Sequence, residues 1–304
     1  MPEGPNVQFG SGQPTPTLDA MQSGERPPAG GEHADREFTV EQRSQFQLIA
    51  KRFLQHKLAV VSLAVFVLLI LVAFLSPLFW PYSYTDINSP SSLPPSGKHL
   101  FGTDSVGHDV FARVMRGTQR SLEVALAVTL IATTVGTVWG TVAGFFRGWA
   151  DAIMMRVSDL ILTLPLIVVA AVIANGTSGS WWMIALVIGG LQWAYVSRVA
   201  RGVVLSLREK EYIEASKAMG SSSTRIIFRH LIPNALGTII VNATILVAVA
   251  ILAATALSFL GFGIQPPDVS LGGLVSHAQT AVQTRPWLFY FPGLFIILIA
   301  LTIN

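Results

Sequence analysis

Long apolar runs separated by short charged stretches recur along the chain, and their lengths predict its elements. A helix rises 1.5 Å per residue, so about twenty mostly apolar residues cross a hydrocarbon core of roughly 30 Å. Residues 59–80 (AVVSLAVFVLLILVAFLSPLFW) meet that requirement at once, and comparable runs lie at 122–144, 153–174, 181–200, 235–260 and 287–304. Trp181 and Trp182 open the fourth run, and Trp287 and Tyr290 the sixth, as expected where amphipathic rings settle at a membrane–water interface. The pattern predicts an all-α polytopic membrane protein with six spans.

Composition agrees. The 304 residues are 51% hydrophobic and 12% charged, with mean hydropathy +0.55; soluble domains carry about twice that charged fraction. Residues 1–40 are rich in Gly, Pro, Ser and Gln, and they predict a disordered tail that buries too little apolar area to offset ordering. No apolar core preceded by basic residues, as in a signal peptide, lies in that stretch. In residues 41–57, Phe46, Ile49, Phe53 and Leu54 recur at helical spacing beside Lys51, Arg52 and Lys57, an amphipathic lead-in to a transmembrane domain at 58–304.

Basic residues set the orientation, because translocation disfavours them in short flanking loops. With the N-terminus inside, fifteen of the twenty Lys and Arg residues fall on the inner side and five outside. That places both termini in the cytoplasm, segment 81–121 outside, and a charged loop, 201–232, inside.

Polar and small residues within the runs are the candidates for special roles. Gly136, Gly140 and Gly144 repeat every fourth residue, a smooth face on which another helix can pack closely. Arg156 and Asp159 are three apart, so the expectation is a buried ion pair near the inner surface. Pro165 then bends that run. Chemistry is otherwise sparse. There is no cysteine, the six histidines are scattered, and no G-x-x-x-x-G-K-[ST] stretch, Ser-His-Asp set or carboxylate pair is evident. These absences argue against an enzyme and against a bound metal or cofactor. A secondary transporter, a membrane-embedded enzyme and a structural subunit are the rival readings, with Asp159 as thin support for ion coupling in the first.

The inner loop reads SLREKEYIEASKAMGSSSTRIIFRHLIPN over 206–234. Lys210, Glu214 and Lys217 are spaced to pair along one helix; Gly220 interrupts it, and Ser221, Ser222 and Ser223 can cap a second. Pro233 falls at the start of the fifth span, where its missing amide costs little. A short helix held between two spans acts as a lever on both.

Glu214-Ala215-Ser216, Gly220 and His230-Leu231-Ile232-Pro233-Asn234 resemble the cytoplasmic "EAA" loop of inner-membrane subunits of binding-protein-dependent ABC importers. Together with FGTDSVGHDVFARVMRGTQRSL at 101–122 and LSFLGFGIQPPDVSLGGLV at 257–275, the chain is similar, over about residues 45–304, to the C-type permease of the dipeptide/oligopeptide/nickel family. The resemblance implies a type I ABC importer permease core with six transmembrane helices in the bacterial inner membrane. Its implied partners are a homologous B-type permease, one or two cytoplasmic ATPases that hold ATP and Mg, an extracytoplasmic substrate-binding protein and membrane lipid, with no nucleic acid. Glu214, Ala215, Ser216 and Gly220 are then expected to shape the ATPase contact, and Arg225 and Arg229 are added as charged contacts. In the outer loop, Asp104, His108, Asp109 and Arg113 either meet the binding protein or pair among themselves and Arg116 to cap the bundle. Three departures from the family pattern stand out: Ser216 for the second Ala of the motif, His108 where the family usually has Arg, and an end at Asn304 without the Gly-Asp-Gly tail, which implies that the natural product is longer.

Overall fold

The computed structural model describes residues 54–176 and 179–303. They belong to a unit running from Ala50 to the end of the chain, distinct from Met1–Ile49. The expected tail at 1–40 and most of the lead-in helix at 41–57 lie outside the described residues.

Every regular element among the described residues is helical: α1 (Lys57–Phe79), α2 (Val110–Phe146), α3 (Gly148–Thr163), α4 (Leu166–Asn175), α5 (Trp181–Leu207), α6 (Glu211–Ala218), α7 (Ser223–Ile226), α8 (Ile232–Phe259), α9 (Leu271–Ala278) and α10 (Trp287–Ile303). By length and apolarity α1, α2, α5 and the continuous α7–α8 helix can each cross a membrane. The bent pair α3–α4 makes a fifth crossing if it is one span, and α10 is apolar but shorter. Where the apolar runs predict six spans, the described residues form four long helices, one broken pair and one shorter apolar helix.

The break follows from proline chemistry. Pro165 cannot donate an amide hydrogen and forces the residue before it out of the helical region. Leu164 is accordingly extended, with φ −78° and ψ 133°, and α3 and α4 meet at 81°. A gentler adjustment precedes Pro233. Residues Ile227–Leu231 widen into a π turn, which accommodates a ring that would otherwise crowd the carbonyl of Arg229 four residues back.

At the centre, α2 and α5 run against each other. The glycine face of α2 makes this possible: a Cβ at Gly136 would stand 2.6 Å from Val196 Cβ, one at Gly140 2.9 Å from Ala200 Cβ, and one at Gly144 3.0 Å from Val204 Cγ1. Backbones approach until only hydrogen fits, and dispersion replaces the hydrophobic drive that lipid cannot supply. The main core, which includes Val114, Met115, Leu122, Ile184, Ile188, Ile251, Leu257 and Ile299, joins α2, α5, α8 and α10. Of the four helices long enough to span, α1 is the least buried, and Val61, Leu68, Phe74 and Leu78 are exposed on it.

Helices α2 and α5 run past the apolar limits predicted for them. The expected second span begins at residue 122, yet α2 starts at Val110 and continues through Arg113, Arg116 and Arg120. The expected fourth span ends at 200, and α5 reaches Leu207 through Arg201. In each case the cations are paired with acids on neighbouring segments, so charge does not terminate the helix.

Candidate functional site

One end of the bundle is closed by residues 80–109. Asp109 is buried at the N-terminus of α2 and its carboxylate caps the helix, accepting from the Ala112 amide at 2.8 Å. It also accepts from Trp80 Nε1 at 3.1 Å and meets His99 Nδ1 at 2.8 Å. Asp104 organises a tight turn in which the amides of Val106, Gly107 and His108 each donate to its Oδ1 at 2.9 Å. Its other oxygen receives Arg113 at 2.7 Å and lies 2.9 Å from His108 Nδ1. Burial alone would raise the Asp104 pKa, but the amide hydrogen bonds, with His108 and Arg113 nearby, outweigh it and hold the carboxyl below its ordinary value. Phe101 stacks on Phe291 of α10, with centroids 3.9 Å apart, and fastens the loop to the bundle.

The expected quartet of Asp104, Asp109, Arg113 and Arg116 divides into separate groups. Asp104 does pair with Arg113, whereas Asp109 is engaged by His99 and Trp80, and Arg116 by Asp268. Asp268, in the segment before α9, was not singled out in the sequence. It receives Arg116 Nε at 2.8 Å and is also bonded by Arg120, which in turn reaches Glu123 at 2.5 Å. The only sequence signal was its place in the QPPD stretch of a matching segment.

At the opposite end of α2 and α5, the segment from Glu211 to Leu231 is anchored on one side and bare on the other. Ile213, Ile226, Ile227 and Leu231 are buried with Phe145 of α2 and Val204 of α5. Ser216 of α6 is buried too. Lys217 lies over the Phe145 ring at 5.5 Å, and Arg208 donates to the Phe145 carbonyl at 2.6 Å, serving the carbonyl-rich end of α2. Gly220 adopts φ +78°, the left-handed conformation that ends α6, and the Ser222 hydroxyl caps α7. On the outward side Tyr212, Glu214, Ala215, Met219, Arg225 and Arg229 are exposed. The expected pairing of Glu214 with Lys210 or Lys217 does not form. Among the described residues no side chain makes a hydrogen bond or ion pair with the Glu214, Arg225 or Arg229 side chains.

The expected Arg156–Asp159 pair is also absent. Asp159 accepts instead from Arg198 of α5, at 2.5 Å from Nη2 and 3.2 Å from Nε, while Arg156 is exposed and without an ion-pair partner among the described residues. Residues three apart are neighbours on a helix, so it is the packing of α3 that decides the partner. Helix α3 packs against α5, which turns Asp151 and Asp159 toward Arg201 and Arg198 and leaves Arg156 outside.

Comparison with known proteins fits this arrangement. Residues 136–304 match the family described as binding-protein-dependent transport system inner membrane component, and residues 44–95 match the N-terminal TM domain of oligopeptide transport permease C. The oligopeptide transport system permease protein OppC of Mycobacterium bovis is 41% identical over 264 residues, covering 86% of this chain and 91% of its own length. The dipeptide transport system permease protein DppC of Alkalihalophilus pseudofirmus is 38% identical over 255 residues, 84% of each chain. A chain from the solved inward facing conformations of the MetNI methionine ABC transporter (CY5 native crystal form) superimposes with a TM-score of 0.52 at 20% identity, covering 62% of this chain and 91% of that one, a likeness of fold. This chain is therefore a permease subunit of an ABC transporter, not itself an enzyme, and belongs to the binding-protein-dependent transport system inner membrane component family.

Proposed function

We propose that the chain is the C-type half of the translocation pathway of an ATP-driven importer for short peptides. It pairs with a homologous B-type permease, receives cargo from an extracytoplasmic binding protein at the end closed by residues 80–109, and is driven by one or two cytoplasmic ATPases that hold ATP and Mg. The peptide cargo rests on the relatives named for oligopeptide and dipeptide transport. The orientation, with both termini inside, rests on the distribution of Lys and Arg.

The observation that carries the coupling role is the two-sided segment Glu211–Leu231. Its inner side is locked to α2 and α5 through Ile213, Ile226 and Leu231, and it passes without a break into α8. Its outer side leaves Met219 79% exposed beside Tyr212, Glu214 and Arg225. A partner that pushes Met219 and Tyr212 would move the ends of three spans together. Gly220 then supplies a hinge-like corner free of side-chain bulk.

Cross-linking from a cysteine at Met219 in the assembled complex tests this reading. The expected product joins the segment to an ATPase chain, with a yield that changes between nucleotide-free and ATP-bound states. Absence of any ATPase adduct from Tyr212, Met219 and Arg225 in both states would remove the coupling role.

A further inference from the structure

Polar groups inside apolar helices are costly to leave facing hydrocarbon, so their direction marks where water or cargo runs. Four such groups form one continuous face shared by three elements. Tyr195 and Arg198 are a helical turn apart on α5, and both are exposed. Arg198 reaches across to Asp159 of α3, and the pair is open, with side chains 54% and 37% exposed. The Tyr195 hydroxyl lies 3.5 Å from Asn242 Oδ1 of α8. Asn242 continues a stripe with Thr238 and Asn234 at four-residue spacing, the last two exposed. Asp159 and Arg198 also line an open pocket of about 380 Å³ with Asp151 and Arg201. By helix rise Arg198 lies roughly 13 Å before the end of α5 at Leu207, on the way to the coupling segment.

The two ion pairs in that pocket differ in a useful way. Asp151 is nearly covered and receives both Nε and Nη2 of Arg201, at 2.5 and 2.6 Å. That forked, sheltered pair fastens α3 to α5. Arg198 instead directs Nε and Nη2 to a single oxygen of Asp159, and much of both groups stays exposed.

We propose that Arg198 and Asp159, with Tyr195 and Asn242, line the cargo path, and that the half-open ion pair makes this stretch charge-neutral so that peptides pass whatever the charge of their side chains. The proposal rests on the peptide reading above. Amide and phenol groups exchange hydrogen bonds with a peptide backbone without regard to sequence, and a compensated guanidinium–carboxylate pair neither traps nor repels a charged side chain. Removing one partner leaves a bare charge in a confined passage, where a charged cargo must come close to it. The two single removals are then opposite in sign.

The test uses the complete transporter with its partner permease, ATPases and binding protein in proteoliposomes, and measures uptake of Ala-Ala-Ala, Ala-Lys-Ala and Ala-Glu-Ala. Each rate is divided by the wild-type rate for the same peptide, which cancels the preference of the binding protein. Asp159→Asn is expected to slow Ala-Lys-Ala about fivefold more than Ala-Glu-Ala, and Arg198→Gln to show the reverse preference. The double variant Arg198→Gln/Asp159→Asn is expected to treat the three peptides alike again. Yield of assembled complex and basal ATPase rate, measured in parallel, separate misassembly from selectivity. Equal losses for all three peptides in both single variants would overturn the proposal and make the pair structural, as expected for Arg201→Gln. A wild-type complex that moves none of the peptides would overturn the peptide reading itself, a result distinct from equal losses.

Discussion

Arg116 Nε donates to Asp268 Oδ1 at 2.8 Å across 152 positions of sequence, binding the first turns of α2 to the segment that precedes α9. Arg120 converges on the same carboxylate. One acid thus holds two cations of a helix that would otherwise carry adjacent like charges on one face. Asp268→Asn keeps the shape and removes the charge, so Arg116 loses its charged partner and Arg120 is left with Glu123 alone. The expected cost is about 2 kcal/mol, in the range for hydrogen bonds to charged groups, read as a lower unfolding temperature of the purified complex. Glu123→Gln, whose carboxylate serves Arg120 alone, is expected to cost less.

The glycine face of α2 gives a sharper contrast. A methyl group at Gly140 would meet the Ser197 carbonyl and Ala200 Cβ, whereas one at Gly202 of α5 meets nothing within 4 Å. Gly140→Ala is expected to force the two helices apart at about 1–3 kcal/mol, and Gly140→Leu to abolish assembly. Gly202→Ala relieves backbone entropy and is expected to be neutral or stabilising by about 0.5–1 kcal/mol. Thermal denaturation of the two alanine variants in the same detergent measures the difference, and equal midpoints would deny the close α2–α5 contact any energetic role.

The loop before α2 carries a pH dependence whose sign follows from Asp104. Its folded pKa lies below its ordinary value, so the native loop favours the ionised form. The resulting stabilisation is fully present above the unfolded carboxylate pKa of about 3.9 and is lost as pH falls through the lower folded value. Near-neutral solutions are therefore expected to leave the loop intact, and protease access at residues 81–109 to rise only in strong acid. Asp104→Asn is expected to show high access already at neutral pH, because the amide cannot serve Arg113 as a charge. Access that rises near pH 6 in the wild type would assign the dependence to histidine instead.

Apolar periodicity made the helical class and most span positions legible, because an uncharged run such as residues 60–72 leaves few other solutions in lipid. The glycine spacing at 136, 140 and 144 pointed to one face of α2, and Pro165 located the break between α3 and α4. Charge partners were not legible. Arg156 and Asp159 are near in sequence, but which face α3 turns toward α5 depends on packing, and that packing gave Asp159 to Arg198. Asp268 was missed for the same reason, since its two partners lie far away in sequence. The apolar runs stop short of the ends of α2 and α5 because clustered charges lower the local hydropathy, whether or not an acid waits across the groove.

Within Glu211–Leu231, the anchored face and the exposed surface proposed for docking are separable because different residues make them. Ile213 is fully buried against Phe145 and Val204, whereas Met219 is 79% exposed. Truncating Ile213 to Ala leaves a cavity and is expected to cost about 2–4 kcal/mol, loosening the segment from α2 and α5. ATPase chains should still bind such a complex, but hydrolysis should lose its stimulation by loaded binding protein, since a push on a loose lever does not reach the spans. Met219→Ala removes only outward surface and is expected to leave the thermal midpoint unchanged while weakening ATPase association during purification. Gly220→Trp adds bulk where a side chain meets no atom of this subunit within 4 Å of its Cβ, yet must hold φ +78°. It is expected to combine a strain of about 1–2 kcal/mol with obstruction of the partner. Measured together, stability, ATPase retention and stimulated hydrolysis should sort the three variants into different patterns. A common pattern for Ile213→Ala and Met219→Ala would mean that the two surfaces do the same job, and the lever would have to be abandoned.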